Sequence, residues 1–195
     1  MVLLPQFLGV AHSQPLAEKK YSSIIWDYLS TLSGFGPRYV GTRGYENTLD
    51  LIRQVGLKFA DDVLEHPFVI KRHNGGKLKM TNIEFIFNGV VGGRPILVGA
   101  HYDTRPFADQ ELKPELRGRP IIGANDGGSG TAVLLGLARY LKENPTNIPI
   151  RLMFFDGEDF GRSGEGEMFI GSNYHARQLE KITLEQWPQA VIIID

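Results

Sequence analysis

Apolar residues recur at helical spacing over residues 18–33, where Ile24, Ile25, Tyr28, Leu29 and Leu32 share one face, and Gly34-Phe35-Gly36-Pro37 breaks the pattern. A first helix is predicted there. Thr42 can cap a second, with Tyr45, Leu49, Ile52, Val55 and Phe59 on one face, although Gly56 weakens its late turns. After Ala60 the period shortens. Residues 63–70, 81–87 and 95–100 are short β-prone runs separated by Asn74-Gly75-Gly76 and Gly92-Gly93, and the first two predict a hairpin. In the third, Ile96-Leu97-Val98-Gly99-Ala100 lacks polar alternation, which predicts a strand buried on both faces and ending at His101.

Residues 104–122 form a polar stretch rich in proline and arginine, long enough to predict a functional or flexible loop with a mobile tip. From Gly130 to about Asn144 the pattern is helical and apolar around much of its circumference, so this helix is expected to be buried. Residues 148–155 read as a core strand ending at acids, 169–179 as a helix, and 190–194 as a third core strand ending at Asp195. Alternation of strand and helix argues for parallel strands covered by helices. The chain contains no internal repeat or low-complexity tract, and residues 18–195 are expected to form one domain.

Composition narrows the chemistry. With 195 residues, 42% apolar and 22% charged, a packed α/β core is expected. A formal net charge of -1 and the absence of a Lys/Arg run argue against nucleic acid as a partner. Without cysteine, any metal must be held by His, Asp and Glu. Residues 1–17 are an apolar arm or the remnant of a secretory signal, with Ala11 and Ser13 before Gln14 but no basic start, so a secreted or periplasmic location is expected on the second reading. No segment has the length and apolarity of a membrane span.

The candidate chemistry lies where the strands end. His101, the adjacent acids Glu158 and Asp159, and Asp195 each follow an apolar run, and ligands of open α/β sheets bind outside the carboxyl ends of strands. Asp126 lies in Gly123-Ala124-Asn125-Asp126-Gly127-Gly128-Ser129-Gly130, just before the buried helix. Imidazole and carboxylate ligands suit a hydrolytic zinc ion that keeps a position open. Asp126 and one of Glu158 and Asp159 fit as ligands, and Glu158 is the candidate for moving protons. The competing reading of residues 156–159 is a solvated acidic turn. Asp103 can accept the second ring N–H of His101, or serve as a cap or turn residue. His12, His66, His73 and His175 read as surface or helix-face histidines.

Five stretches carry a resemblance: Gly99-Ala100-His101-Tyr102-Asp103-Thr104-Arg105-Pro106; residues 123–130; Phe154-Phe155-Asp156-Gly157-Glu158-Asp159; Ile170-Gly171-Ser172; and Ile192-Ile193-Ile194-Asp195. With Phe35-Gly36-Pro37-Arg38 and Gly41-Thr42, they resemble the zinc aminopeptidase and glutaminyl cyclase superfamily over residues 33–195. The resemblance implies a three-layer α/β/α fold with a mixed, largely parallel sheet. It implies Asp126 and Asp159 as zinc ligands and Glu158 as the acid/base residue. His101 and Asp195 match the second-metal positions of two-zinc aminopeptidases; in the one-zinc cyclases the residue matching Asp195 joins a proton relay. The expected substrate is a peptide or protein N-terminus.

The Arg-Pro-Phe-Ala-Asp loop after His101-Tyr102-Asp103, the insert before Asp126, and the Phe-Phe-Asp-Gly-Glu-Asp-Phe-Gly block resemble bacterial glutaminyl cyclases, whereas residues 125–130 also resemble aminopeptidases. Asp159 stands where many relatives have the longer Glu. The superfamily carries a further zinc-binding His beyond the strand that ends here at Asp195. The chain is therefore expected to hold the N-terminal part of such a site, with the absent ligand lying beyond it or supplied by a partner or His175. An inactive fragment or a non-catalytic binding domain is the third reading.

Overall fold

A computed structural model describes residues 15–72, 75–161 and 167–195, with side chains from residue 19 onward. Most of the expected N-terminal arm, together with His12 and His73, lies outside the described residues. The first helix, α1, spans Pro15–Gly34 and so begins within that expected arm. Helix α2 spans Arg43–Phe59, and Thr42 caps it by accepting the Tyr45 N–H at 3.2 Å. Gly56 is required in this helix by packing, because a Cβ there would lie 2.5 Å from Cε1 of Phe85. The helix cost of that glycine purchases close contact with the sheet.

Strands β1 (Asp62–Lys71), β2 (Lys77–Phe87), β3 (Ile96–His101), β4 (Ile150–Phe155) and β5 (Ala190–Ile193) form one mixed sheet in the order β1-β2-β4-β3-β5. The predicted hairpin joins the sheet through β2, antiparallel to β4, while β3 runs parallel to both β4 and β5. On one face Ile83, Phe85, Val98, Ala100, Ile150, Leu152 and Phe154 form a core with helices α1, α2 and α3 (Gly128–Glu143). Helix α4 (Ile170–Leu179) lies on the other, where Asn82 Nδ2 donates to the Gly171 carbonyl at 2.8 Å and His175 meets Phe155 edge-on. This is the expected α/β/α arrangement.

Strand β5 pairs only with β3 among the described residues, and in this chain Val191, Ile192 and Ile193 are 55%, 51% and 59% exposed. An apolar run identifies a strand but does not give its rank in the sheet. The 104–122 segment is also more ordered at its base than the sequence suggests, since Ile121 N–H donates to the Arg105 carbonyl and Ala108 N–H to that of Arg119. It contains one short 3-10 turn, Pro114–Leu116.

Candidate metal centre

The three parallel strands deliver their following residues to one end of the sheet. His101 closes β3, Glu158 and Asp159 follow β4, and Asp195 follows β5 after Ile194 N–H donates to the Gly99 carbonyl at 2.8 Å. Asp126 arrives from the turn leading into α3. Gly127 allows that approach: its φ is +71°, and a Cβ there would meet the Asp103 carbonyl at 2.5 Å and the His101 ring at 2.8 Å.

Around His101 the geometry is tight. Its Nε2 faces Asp126 Oδ1 at 3.1 Å and Asp195 Oδ1 at 3.4 Å, and its Nδ1 lies 3.4 Å from Asp103 Oδ1 and 3.9 Å from Glu158 Oε2. The ring is buried, whereas the Asp126 and Asp195 carboxylates reach solvent. Burial alone would depress the imidazole, but Asp103, Asp126 and the Glu158 charge outweigh it and hold the ring protonated up to about 11. Asp126 is correspondingly held below the ordinary carboxylate range by His101.

These residues fit a divalent cation. His101, Asp126 and Asp195 each offer one ligand atom, and the three atoms lie within 4.8 Å of one another. His101 Nε2 is also a buried polar atom that makes no hydrogen bond of proper geometry among the described residues. A metal ion would satisfy that nitrogen in place of its proton, and the carboxylate field that favours imidazolium would favour the ion too.

Asp103 is buried beneath this group and holds the acids in place, with Oδ1 accepting the Glu158 N–H at 3.0 Å and Oδ2 accepting that of Asp159 at 3.2 Å. Glu158, half-buried, is pushed up to about 7, first by burial and then by Asp103, Asp159 and Asp195, against the opposing pull of His101. A carboxyl group that titrates near neutrality can both take and give a proton. Burial likewise lifts Asp159 to about 6, opposed by Arg105 and assisted by the Asp126 charge. Asp159 stands apart from the His101 cluster, with Oδ1 bonded to Arg105 Nη1.

Next to the cluster is a cavity of about 230 Å³ lined by His101, Phe155, Glu158, Phe169, Ile194 and Asp195 among others. Phe169 is held there in a left-handed conformation, φ 56°, with its N–H donating to the Glu158 carbonyl at 2.8 Å. His175, a candidate replacement ligand, lines a different cavity with Glu84 and Arg151, on the α4 face. The structure thus does not bring it to the His101 cluster. His66, expected at the surface, faces the buried Glu84 carboxylate at 2.8 Å.

Two supporting residues had no role assigned from sequence. Arg38 is fully buried, and its guanidinium donates to the carbonyls of Tyr102 at 3.1 Å, Ile122 at 2.7 Å and Gly123 at 2.7 Å, tying the His101 strand end to the Asp126 loop. Only the fold reveals this. Arg105 was legible in part, because an Arg-x-x-x-Asp spacing immediately after a candidate ligand strand marks a local ion pair.

The sequence pattern described as Peptidase family M28 matches residues 85–192, more than half of the chain, and includes His101, Asp103, Asp126, Glu158 and Asp159 but not Asp195. Aminopeptidase YwaD of Bacillus subtilis (strain 168) is 34% identical over 91 residues, covering 47% of this chain and 16% of that protein. The glutaminyl cyclase of Porphyromonas gingivalis superimposes with a TM-score of 0.80 at 32% identity, covering 89% of this chain and 60% of that one. A Zn-dependent exopeptidase from Parabacteroides distasonis ATCC 8503 gives 0.80 at 26% identity, with 89% and 61% covered. The chain therefore spans a small part of the curated relative and about three-fifths of the solved structures. By the extent of the sequence match, with the fold in agreement, the chain belongs to peptidase family M28.

Proposed function

We propose that this chain carries the catalytic strand ends of a zinc-dependent glutaminyl-peptide cyclotransferase, which converts an N-terminal glutamine to pyroglutamate with release of ammonia. The observation that carries the reading is Glu158: a half-buried carboxyl titrating at about 7, 3.9 Å from His101 and bordering a small, largely apolar cavity. The likeness to the P. gingivalis glutaminyl cyclase over most of the chain supports it.

In this reading Asp126 and Asp159 would hold the one zinc ion and Asp195, beside His101, would join the proton relay; the cluster of His101, Asp126 and Asp195 is where the second ion of an aminopeptidase would lie. A bound zinc ion would supply Lewis acidity toward the side-chain amide carbonyl of the substrate. Glu158 takes a proton from the substrate α-amine as that nitrogen forms a bond to the amide carbon. It then returns the proton to the departing amide nitrogen, which leaves as ammonia. Phe155, Phe169 and Ile194 give the glutamine methylenes an apolar wall and keep water from competing for the carbonyl. Asp103 fixes Glu158 through its backbone N–H.

The second reading is a two-zinc aminopeptidase, favoured by the His101, Asp126 and Asp195 ligand atoms lying within 4.8 Å of one another and by the likeness to YwaD. Incubating the zinc-loaded full-length protein that contains this chain with a Gln-initiated peptide separates the two: pyroglutamate and ammonia support the cyclase, free glutamine the aminopeptidase. Zinc binding without turnover of either kind supports a non-catalytic role.

A further inference from the structure

We infer that Arg105 is a positioning residue that aims Asp159 at the metal centre, with Asp109 as its brace. This inference rests on the proposed zinc site and deepens it. Arg105 is 9% exposed, and its guanidinium is used on two edges. Nε and Nη2 donate to Asp109 Oδ1 at 2.8 Å and Oδ2 at 3.1 Å, a two-point clasp that fixes the plane of the group. Nη1 then donates to Asp159 Oδ1.

Only one oxygen of Asp159 is engaged in this way. Among the described residues no hydrogen bond reaches Oδ2, which leaves that oxygen available to an ion, and the Asp126 charge acts on the same carboxylate. The Asp159 backbone is fixed independently, through its N–H to Asp103 Oδ2 at 3.2 Å. The two side-chain torsions of Asp159 remain, and the bond from Arg105 restrains them. Aspartate is one methylene shorter than glutamate, so a ligand at this position has little reach with which to correct a wrong orientation. A fixed cation behind it supplies the orientation and offsets the crowding of Asp103, Asp126, Glu158 and Asp159 when no metal is bound. The loop is built to hold the cation still, because the backbone bond from Ile121 N–H to the Arg105 carbonyl closes it directly behind this residue.

The test is zinc affinity, measured on the 195-residue chain by competition with a chromophoric chelator, with folding followed by circular dichroism. Arg105→Gln should weaken zinc by about tenfold to a hundredfold, the range for loss of an outer partner of a metal ligand. Arg105→Lys, which keeps the charge without the clasp, should fall between, and Asp109→Asn should weaken zinc while leaving Arg105 in place. In an Asp159→Asn background the Arg105→Gln change should cost nothing further, which separates action through Asp159 from a general loss of charge. If Arg105→Gln proves unstable, the Lys and Asp109 variants carry the test. Unchanged affinity in folded Arg105 and Asp109 variants overturns the inference while leaving the zinc site standing. Tighter binding overturns it too, since Arg105 would then compete with the ion. Failure of the unaltered chain to bind zinc removes the metal site and this inference together.

Discussion

Asp103 Oδ1 accepts the backbone N–H of Glu158 at 3.0 Å, so a residue two positions beyond the end of β3 sets the place of the proposed proton carrier beyond β4. Its other oxygen accepts the Asp159 N–H at 3.2 Å. Asp103→Ala should leave two largely buried donors without partners and destabilise the chain by roughly 2–4 kcal/mol. Urea denaturation measures this. A loss below about 0.5 kcal/mol would show that the two acids are held by other means.

Glu158→Gln preserves size and removes the titrating proton. Turnover of a Gln-initiated peptide should fall by about a hundredfold or more, with zinc affinity within a few-fold of the parent. Undiminished turnover, followed by mass spectrometry, removes Glu158 from the mechanism.

Arg38→Met should cost at least ~3 kcal/mol, because four main-chain carbonyls, those of Leu32, Tyr102, Ile122 and Gly123, lose a charged donor at once in a fully buried setting. Zinc affinity should fall with it, since Ile122 and Gly123 lead directly to Asp126. Burial lowers the pKa of Arg38 to about 10, which still leaves it charged at neutral pH. Thermal melts with and without zinc check both effects. A variant as stable as the parent would refute the tie between the two loops.

Stability should decline with pH through Asp156. Burial, with the nearby Asp103 charge, raises this carboxyl from 3.8 to about 7, although it accepts from Tyr45 Oη at 2.6 Å and from the Thr81 N–H at 2.9 Å. The folded chain thus keeps a proton that the unfolded chain releases. The resulting contribution is complete below about pH 4 and is lost as pH rises through about 7, with an upper limit of order 4 kcal/mol. Asp156→Asn cannot ionise, so its stability relative to the parent should improve between pH 5 and 8. Parallel pH profiles for the two proteins would contradict the assignment.

What the sequence disclosed follows from how local each signal is. The β3 and β4 runs, the Thr42 cap and the placement of His101, Glu158, Asp159 and Asp195 after strands depend on periodicity and adjacency within about ten residues, and all were legible. The order of the strands in the sheet was not, because strands at different ranks can share one apolar pattern. Nor was the convergence of Arg38 on Tyr102, Ile122 and Gly123, or of Arg105 on Asp159, contacts that join residues far apart in the chain. The His66–Glu84–Arg151 network was hidden for the same reason: Glu84 sits in a β-prone run, and only strand pairing places Arg151 Nη1 at 2.8 Å from its carboxylate.

The proposed cyclisation is tested most directly by mass spectrometry and ammonia release on a peptide that begins with glutamine, using the full-length protein that contains this chain, zinc-loaded, chelated and as Glu158→Gln side by side. The expected result is loss of one ammonia per peptide, dependent on zinc and absent in the variant. Release of free glutamine with a shortened peptide, or ammonia loss that persists in Glu158→Gln, would contradict it.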